Sequence, residues 1–352
     1  PYNYNWTYTT IANNGVGSVP ITKLLIDDLD MNGIPDIVGI TNAGQMYTWK
    51  NELSFPISNT KRYTKNNFGK AVNVIKNFDL DGDSDKDLVL GLADGTMIVI
   101  DNQAVTMPNV TKTDPNLYRS HFTSNAYLYD SYTTGGGNIR SITFEDLDRD
   151  GKVDIIIGHA DRKVYAMRST TVRQLSNMYF NPPFLIYENQ SATVDLGCLN
   201  FADLNYDGAK DIVMTETAST SSFKNITALI NPGSMVSPSG PLMYNTKFAY
   251  RRLFYETGPI PYFTLADLDG NGKQDFVYMT IDTVAQVKAT RNIINGTNFD
   301  QLDHYSFSNY YNQYQLFEYN STDINFNIFT SDTSSFGYIM PFQKNGKLQF
   351  LT

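Results

Sequence analysis

One nine-residue pattern recurs five times along this chain, and a recurring loop restricts the fold more than any single segment does. It reads DLDMNGIPD from Asp28 to Asp36, DLDGDSDKD from Asp79 to Asp87, and DLDRDGKVD from Asp146 to Asp154. It returns as DLNYDGAKD from Asp203 to Asp211 and as DLDGNGKQD from Asp267 to Asp275. The common form is D-x-[DN]-x-[DN]-G-x-x-D, with Ser84 standing once where the others have glycine. Each copy leads into an apolar run: DIVGI, LVLGL, IIIGH, IVMTE and FVYMT. The copies begin 51 to 67 residues apart, longer than a helical-hairpin repeat and suited to a four-stranded blade.

The segments after the loops read as hairpins. Asp36–Asn51, Asp87–Asn102 and Asp154–Arg168 each run as a second strand, a tight turn and a third strand, Asp94-Gly95 marking the turn of the second hairpin. The same ruler finds a decayed sixth copy in Gly337–Leu351, with Asn345-Gly346 at its turn and its loop at Thr330–Tyr338. Of the carboxylates that loop keeps only Asp332. This copy stops after its third strand, and Tyr2–Ile11 alternates like a strand that could supply the fourth. The expectation is an all-β propeller of about six four-stranded blades, seven being the alternative, forming one domain over residues 1–352. The N-terminal strand near Trp6 would pair near Gln349 and close the ring, which removes exposed sheet edges.

Calcium takes six to eight oxygen ligands in flexible geometry. Side chains at positions 1, 3, 5 and 9 of such a loop, with a backbone carbonyl at 7, can converge on one ion, and glycine at 6 permits the reversal. The first loop offers Asp28, Asp30, Asn32 and Asp36 with the Ile34 carbonyl; the second offers Asp79, Asp81, Asp83 and Asp87 with Asp85 at position 7. The third offers Asp146, Asp148, Asp150 and Asp154 with Lys152, and the fourth Asp203, Asn205, Asp207 and Asp211 with Ala209. The fifth offers Asp267, Asp269, Asn271 and Asp275 with Lys273. An EF-hand shares this opening but requires glutamate at position 12. That place holds Gly39, Leu90, Ile157, Met214 and Tyr278, so EF-hands are excluded. Several carboxylates held together without a cation would repel one another, so about five Ca²⁺ ions are expected.

The net charge of −9 argues against non-specific nucleic-acid binding, which needs a basic face. Five divalent ions would bring it to about +1. No apolar run reaches the roughly 20 residues of a membrane-spanning helix. The single cysteine, Cys198, has no partner for an intramolecular disulfide and reads as a small packing residue. The chain begins at Pro1 without a signal peptide, as a processed protein or a fragment would. Six Asn-X-Ser/Thr sequons, at Asn5, Asn109, Asn189, Asn225, Asn295 and Asn320, permit glycosylation in a secreted protein.

These loops and their hairpins resemble the FG-GAP/VCBS repeat, the calcium-loop blade of the integrin α-subunit propeller. The resemblance implies an extracellular or secretory-lumen location and a binding role, in adhesion or recognition of a protein or glycan. Two alternatives stay open: a polysaccharide-active lyase or hydrolase on the same scaffold, and a structural component of a larger extracellular assembly. His121, His159 and His304 show no metal or triad spacing, and no nucleophile elbow, zinc-protease motif or phosphate-binding glycine loop occurs. His159 reads as a turn or packing residue, and Trp6 and Trp49 as strand residues. Thr111–Arg140 reads as an insertion able to carry a binding loop. Tyr305–Tyr319 reads as an aromatic-rich strand of the last blade.

Overall fold

The computed structural model describes residues 20–51, 62–80, 84–100, 102, 129–147, 151–169, 180–189, 194–218, 224–231, 249–256, 258–260, 262–267, 272–281, 285–290, 313–319, 340–344 and 347–351. Among these residues the protein is all-β, with no helix and so none long and apolar enough to cross a membrane.

The described residues form five antiparallel sheets of four strands, one after another in sequence, followed by a two-stranded hairpin. The first sheet holds β1 (Ile21–Asp27), β2 (Asp36–Thr41), β3 (Gln45–Trp49) and β4 (Arg62–Asn67). The second holds β5 (Val72–Phe78), β6 (Asp87–Leu92), β7 (Thr96–Ile100) and β8 (Tyr129–Thr133), and the third β9 (Ile139–Glu145), β10 (Asp154–His159), β11 (Lys163–Met167) and β12 (Phe184–Glu188). The fourth is β13 (Val194–Ala202), β14 (Asp211–Ala218), β15 (Lys224–Ile230) and β16 (Ala249–Glu256). The fifth is β17 (Tyr262–Ala266), β18 (Asp275–Ile281), β19 (Ala285–Thr290) and β20 (Gln313–Tyr319). The hairpin pairs β21 (Met340–Lys344) with β22 (Lys347–Leu351), Met340 opposite Leu351. Every four-stranded sheet is a simple meander, each strand bonded to its neighbours in sequence.

Each acidic loop joins the first two strands of a sheet and delivers its last aspartate as the first residue of the second strand. That second strand lies inside the sheet, which is why it reads as a continuous apolar run. Every residue of β6 and β10 is buried. Three-residue reversals close the next hairpins, with Gly44 N–H on Thr41 O at 3.0 Å and Gly95 N–H on Leu92 O at 3.2 Å. Both glycines have positive φ, as the expected Asp94-Gly95 turn requires.

The chain divides into two compact units. In the unit of Pro1–Thr133 and Thr170–Tyr179, the first two sheets share a core in which Leu29, Val38, Ile40 and Met46 meet Val72, Ile75, Leu88 and Leu90. In the unit of Thr134–Ser169 and Phe180–Thr352, Ile156, Val164 and Ala166 of the third sheet pack on Leu199, Ile212 and Met214 of the fourth. The other face of the fourth sheet, through Val213, Ile226 and Ala228, packs on Phe263, Phe276 and Tyr278 of the fifth. Leu29, Leu147 and Leu204 thus anchor the first, third and fourth loops in cores made with the next sheet of the same unit.

Trp49 lies in β3 and is buried, as a packing residue should be. Cys198 in β13 is half-buried. Tyr129–Thr133, within the segment read as an insertion, is the fourth strand of the second sheet, and Gln313–Tyr319 is that of the fifth. Tyr2–Ile11, Thr330–Tyr338, residues 111–128, His121 and His304 lie outside the described residues.

Candidate metal centre

The loops share one hydrogen-bonded frame. The position-1 aspartate receives the backbone N–H of position 6: Gly33 to Asp28 at 2.7 Å, Ser84 to Asp79 at 3.0 Å, and Gly151 to Asp146 at 2.9 Å. Gly208 to Asp203 at 2.9 Å and Gly272 to Asp267 at 2.8 Å complete the set. In the first and fourth loops the other oxygen receives the N–H of position 5, Asn32 or Asp207. Position 6 has a positive φ in all five loops, +79° to +85°. A Cβ added at Gly33, Gly151 or Gly272 would meet nothing within 4 Å, so backbone conformation, not space, requires the glycine.

The position-9 aspartate is buried in every loop: Asp36, Asp87, Asp154, Asp211 and Asp275. In the first four loops its carboxylate fastens two distant pieces of chain. One oxygen receives the N–H of the position-2 leucine: Leu29 and Leu147 at 3.2 Å, Leu80 and Leu204 at 2.9 Å. The other receives an N–H just past the sheet's third strand: Asn51 and Asn102 at 2.8 Å, Ser169 and Asn231 at 2.9 Å. The side-chain amides of Asn51, Asn102 and Asn231 then donate to the carbonyl of position 8, at 3.0 to 3.2 Å. Each bonded carboxylate oxygen retains a second lone pair that can face a cation.

Burial is costly for these carboxylates. Asp36 is pushed up to about 7, chiefly by burial; the bonds from Asn51 and Leu29 oppose the rise, and the charges of Asp30 and Asp28 add to it. Asp211 is also pushed up to about 7 by burial, against bonds from Asn231 and Leu204, with Asp207 and Asp203 adding to the rise. A divalent cation would reverse this cost by stabilising the ionised form.

The first loop brings Asp28, Asp30 and Asp36 together, one oxygen of each lying within 4.8 Å of the others. Asp30 is buried, and neither of its oxygens accepts a well-directed hydrogen bond. Oδ2 lies 2.7 Å from Lys50 Nζ instead, an ion-pair contact. Asn32 Oδ1 receives the N–H of Ile34 at 2.8 Å, which turns the chain towards Asp36. A buried carboxylate lacking hydrogen bonds, beside two others, is the donor set a hard cation fits. In the fourth loop the acids are drawn into internal bonds: Asn205 donates to Asp207 at 3.0 Å, and Asp207 receives the N–H of Ala209 at 2.7 Å. In the second, third and fifth loops the frame residues Asp79, Asp85, Asp87, Asp146, Lys152, Asp154, Asp267, Lys273 and Asp275 are described; Asp81, Asp83, Asp148, Asp150, Asp269 and Asn271 lie outside the described residues.

Neighbouring loops also touch. Asn102 Nδ2 reaches back to the carbonyl of Leu29 at 2.8 Å, and Lys86 of the second loop pairs with Asp27 at 2.7 Å. Tyr206 of the fourth loop accepts the N–H of Gln274 through its hydroxyl, and Lys273 lies 5.9 Å over its ring.

Two buried polar sites lie elsewhere. His159 is the last residue of β10, with Nδ1 2.7 Å from the carbonyl of Gly137 and Nε2 3.1 Å from Thr134 Oγ1. The carbonyl requires Nδ1 to carry the proton, so Nε2 accepts from the threonine. Glu216 of β14 is buried and receives Tyr187 at 3.1 Å, Asn189 at 2.8 Å and Tyr250 at 2.8 Å; the two tyrosine rings stack with centroids 5.5 Å apart. The latching asparagines, the position-2 leucines and Glu216 are not among the residues singled out from the sequence.

No protein-family model matches the chain, and no curated protein matches it. Solved structures align with it at low identity. A crystal structure of BBS1N in complex with ARL6DN is 11% identical, over 76% of this chain and 63% of that one, with a TM-score of 0.39. The computationally designed Ika8 protein is 11% identical over 85% and 74%, with a TM-score of 0.38. A humanized mutant of the Chaetomium thermophilum Polycomb Repressive Complex 2, bound to the inhibitor GSK126, is 11% identical over 77% and 56%, with a TM-score of 0.42. The chain therefore spans less than two thirds of the length of the first and third of these.

Proposed function

We propose that this chain is a calcium-stabilised recognition module of the extracellular space, a propeller of about six blades in which the five acidic loops each hold one Ca²⁺. The observation that carries the reading is the first loop: three carboxylates within 4.8 Å, one of them buried without a hydrogen bond, inside a frame that recurs in four further loops. The likeness of the motif to FG-GAP/VCBS repeats supplies the extracellular setting and the binding role. Residues at positions 1, 3, 5 and 9 would hold the ion, with the carbonyl of position 7, since position 8 is engaged by asparagine in three loops. The ion supplies charge neutralisation and a fixed turn between two strands. The ligand would be a protein or glycan met by surfaces that the loops hold in place, and the N-terminal strand would close the ring.

Mass action sets the size of the effect, about 2.7 kcal/mol per site at a hundredfold excess over Kd. Extracellular calcium modules bind at about 10⁻⁴ to 10⁻³ M, so millimolar calcium should raise the melting temperature clearly. Magnesium should raise it less, because it demands tighter octahedral geometry. A melting curve that chelator leaves unchanged would end the calcium reading. Glycan-array binding and pull-down with and without chelator would then find the ligand class.

A further inference from the structure

We infer that Lys50 is an internal cation that competes with the metal for the first loop and sets its affinity. The inference rests on the calcium reading. Lys50 directly precedes Asn51, the residue whose N–H latches Asp36, so the end of β3 carries its side chain into the acid cluster. Its ammonium lies 2.7 Å from Asp30 Oδ2, with the two side chains only 5% and 3% exposed. Asp30 has no hydrogen bond on either oxygen, so this ion pair is the charge compensation that the structure gives it. An ammonium so close to a ligand oxygen occupies the ground a divalent ion would take and repels that ion at short range in a buried setting.

The fourth loop is a control within the same chain. Its residue directly before the latching Asn231 is Ile230, fully buried, and its position 3 is Asn205 in place of an aspartate. The charged pair Lys50 and Asp30 thus has a neutral pair, Ile230 and Asn205, at the corresponding places. In the first loop a lysine accompanies the aspartate, and in the fourth both charges are missing together; the corresponding residues in the sequence are Asp81 and Asp101 in the second loop and Asp148 and Arg168 in the third. The expected consequence is a first loop that stays formed when calcium is scarce and takes up metal more weakly than its carboxylates alone would allow.

Terbium is a suitable probe, because it replaces calcium in oxygen sites and is sensitised by a nearby indole. The chain has two tryptophans, and Trp49 immediately precedes Lys50. In a Trp6→Phe background, terbium emission excited through tryptophan reports the first loop, and calcium displaces it. Lys50→Met should tighten terbium and calcium binding there on the order of tenfold or more. It should also lower the melting temperature in chelator and enlarge the gain on adding calcium. A Lys50→Met protein that folds only with calcium would carry the same conclusion, since the metal then replaces the missing charge. If it folds in neither condition, Lys50→Gln is read by the same criteria. Unchanged or weakened binding in a folded variant overturns the assignment. Asp207→Asn separates the two readings: calorimetry should then show one weakened calcium site, as the first loop already tolerates Asn32 at that place. If Asp207→Asn weakens a site while Lys50→Met changes nothing, only the Lys50 inference falls. If the parent protein binds neither ion, both fall.

Discussion

The backbone N–H of Asn51 donates to Asp36 Oδ1 at 2.8 Å across 15 residues of chain, and the Asn51 side chain donates back to the carbonyl of Pro35 at 3.0 Å. Asn102 with Asp87 and Asn231 with Asp211 make the same double contact. The position-9 aspartate is therefore a clasp between the acidic loop and the end of the third strand, in addition to any metal it holds.

That arrangement predicts an order of severity. Asn51→Ala removes one side-chain bond and leaves the backbone N–H on Asp36, so it should cost about 1 kcal/mol. Asp36→Ala leaves the buried N–H groups of Leu29 and Asn51 without their acceptor and should cost at least about 2 kcal/mol. Denaturant unfolding in chelator measures both. Equal costs would remove the clasp.

Ser84 sits at φ +79° where the other four loops place glycine. An L-residue in the left-handed region costs about 1–2 kcal/mol, while glycine adds about 0.5–1 kcal/mol of chain entropy to be lost on folding. Ser84→Gly should therefore stabilise the protein by up to about 1 kcal/mol and leave the N–H bond to Asp79 in place. Destabilisation by this substitution would mean that the serine side chain has a role of its own.

Much of this frame was legible because it is written at fixed spacing: the aspartates, the turn glycines and the apolar second strands all fall in register with the loop. The clasp was harder to read because its two halves are 15 or 20 residues apart. A signal was nevertheless present, since Asn51, Asn102 and Asn231 each stand one or two places after a third strand and every loop has leucine at position 2. The Lys50–Asp30 pair and the Glu216 cluster left no such trace. Glu216 collects donors 27 to 34 residues away from β12, its following turn and β16, where no local periodicity records the meeting. The segment after residue 111 read as an insertion because its length hid a fourth strand, β8, at its far end.

Gly136 tests the histidine site. A Cβ there would lie 2.5 Å from His159 Nδ1, against a ring held on both sides by Gly137 and Thr134. Gly136→Ala should break the Nδ1–H bond and cost about 1–3 kcal/mol. Histidine NMR should show altered tautomer or shifts at this ring. An unperturbed ring in the variant would show that the backbone yields instead.

The clasp aspartates make stability depend on pH in a direction that calcium should cancel. Asp36 and Asp211 are held up at about 7 in the folded protein, far above the usual carboxylate value of 3.8 that the unfolded chain restores. Their protonated forms therefore favour the fold. The contribution is fully present below about pH 4 and is lost as pH rises through about 7, because the unfolded chain then releases protons that the folded one retains. With calcium bound the carboxylates are ionised by the metal, so the loss should not occur. His159 acts in the opposite sense: burial lowers its pKa, so its contribution is present above about 6.5 and fades as pH falls. It acts equally with and without metal and drops out of the difference. The melting-temperature gain on adding calcium should therefore grow steadily from about pH 5 to pH 8, beyond what free carboxylates at their ordinary pKa would give. A gain that is flat across this range would show that Asp36 and Asp211 are already ionised without the metal, and that the cost of their burial is met by hydrogen bonds alone.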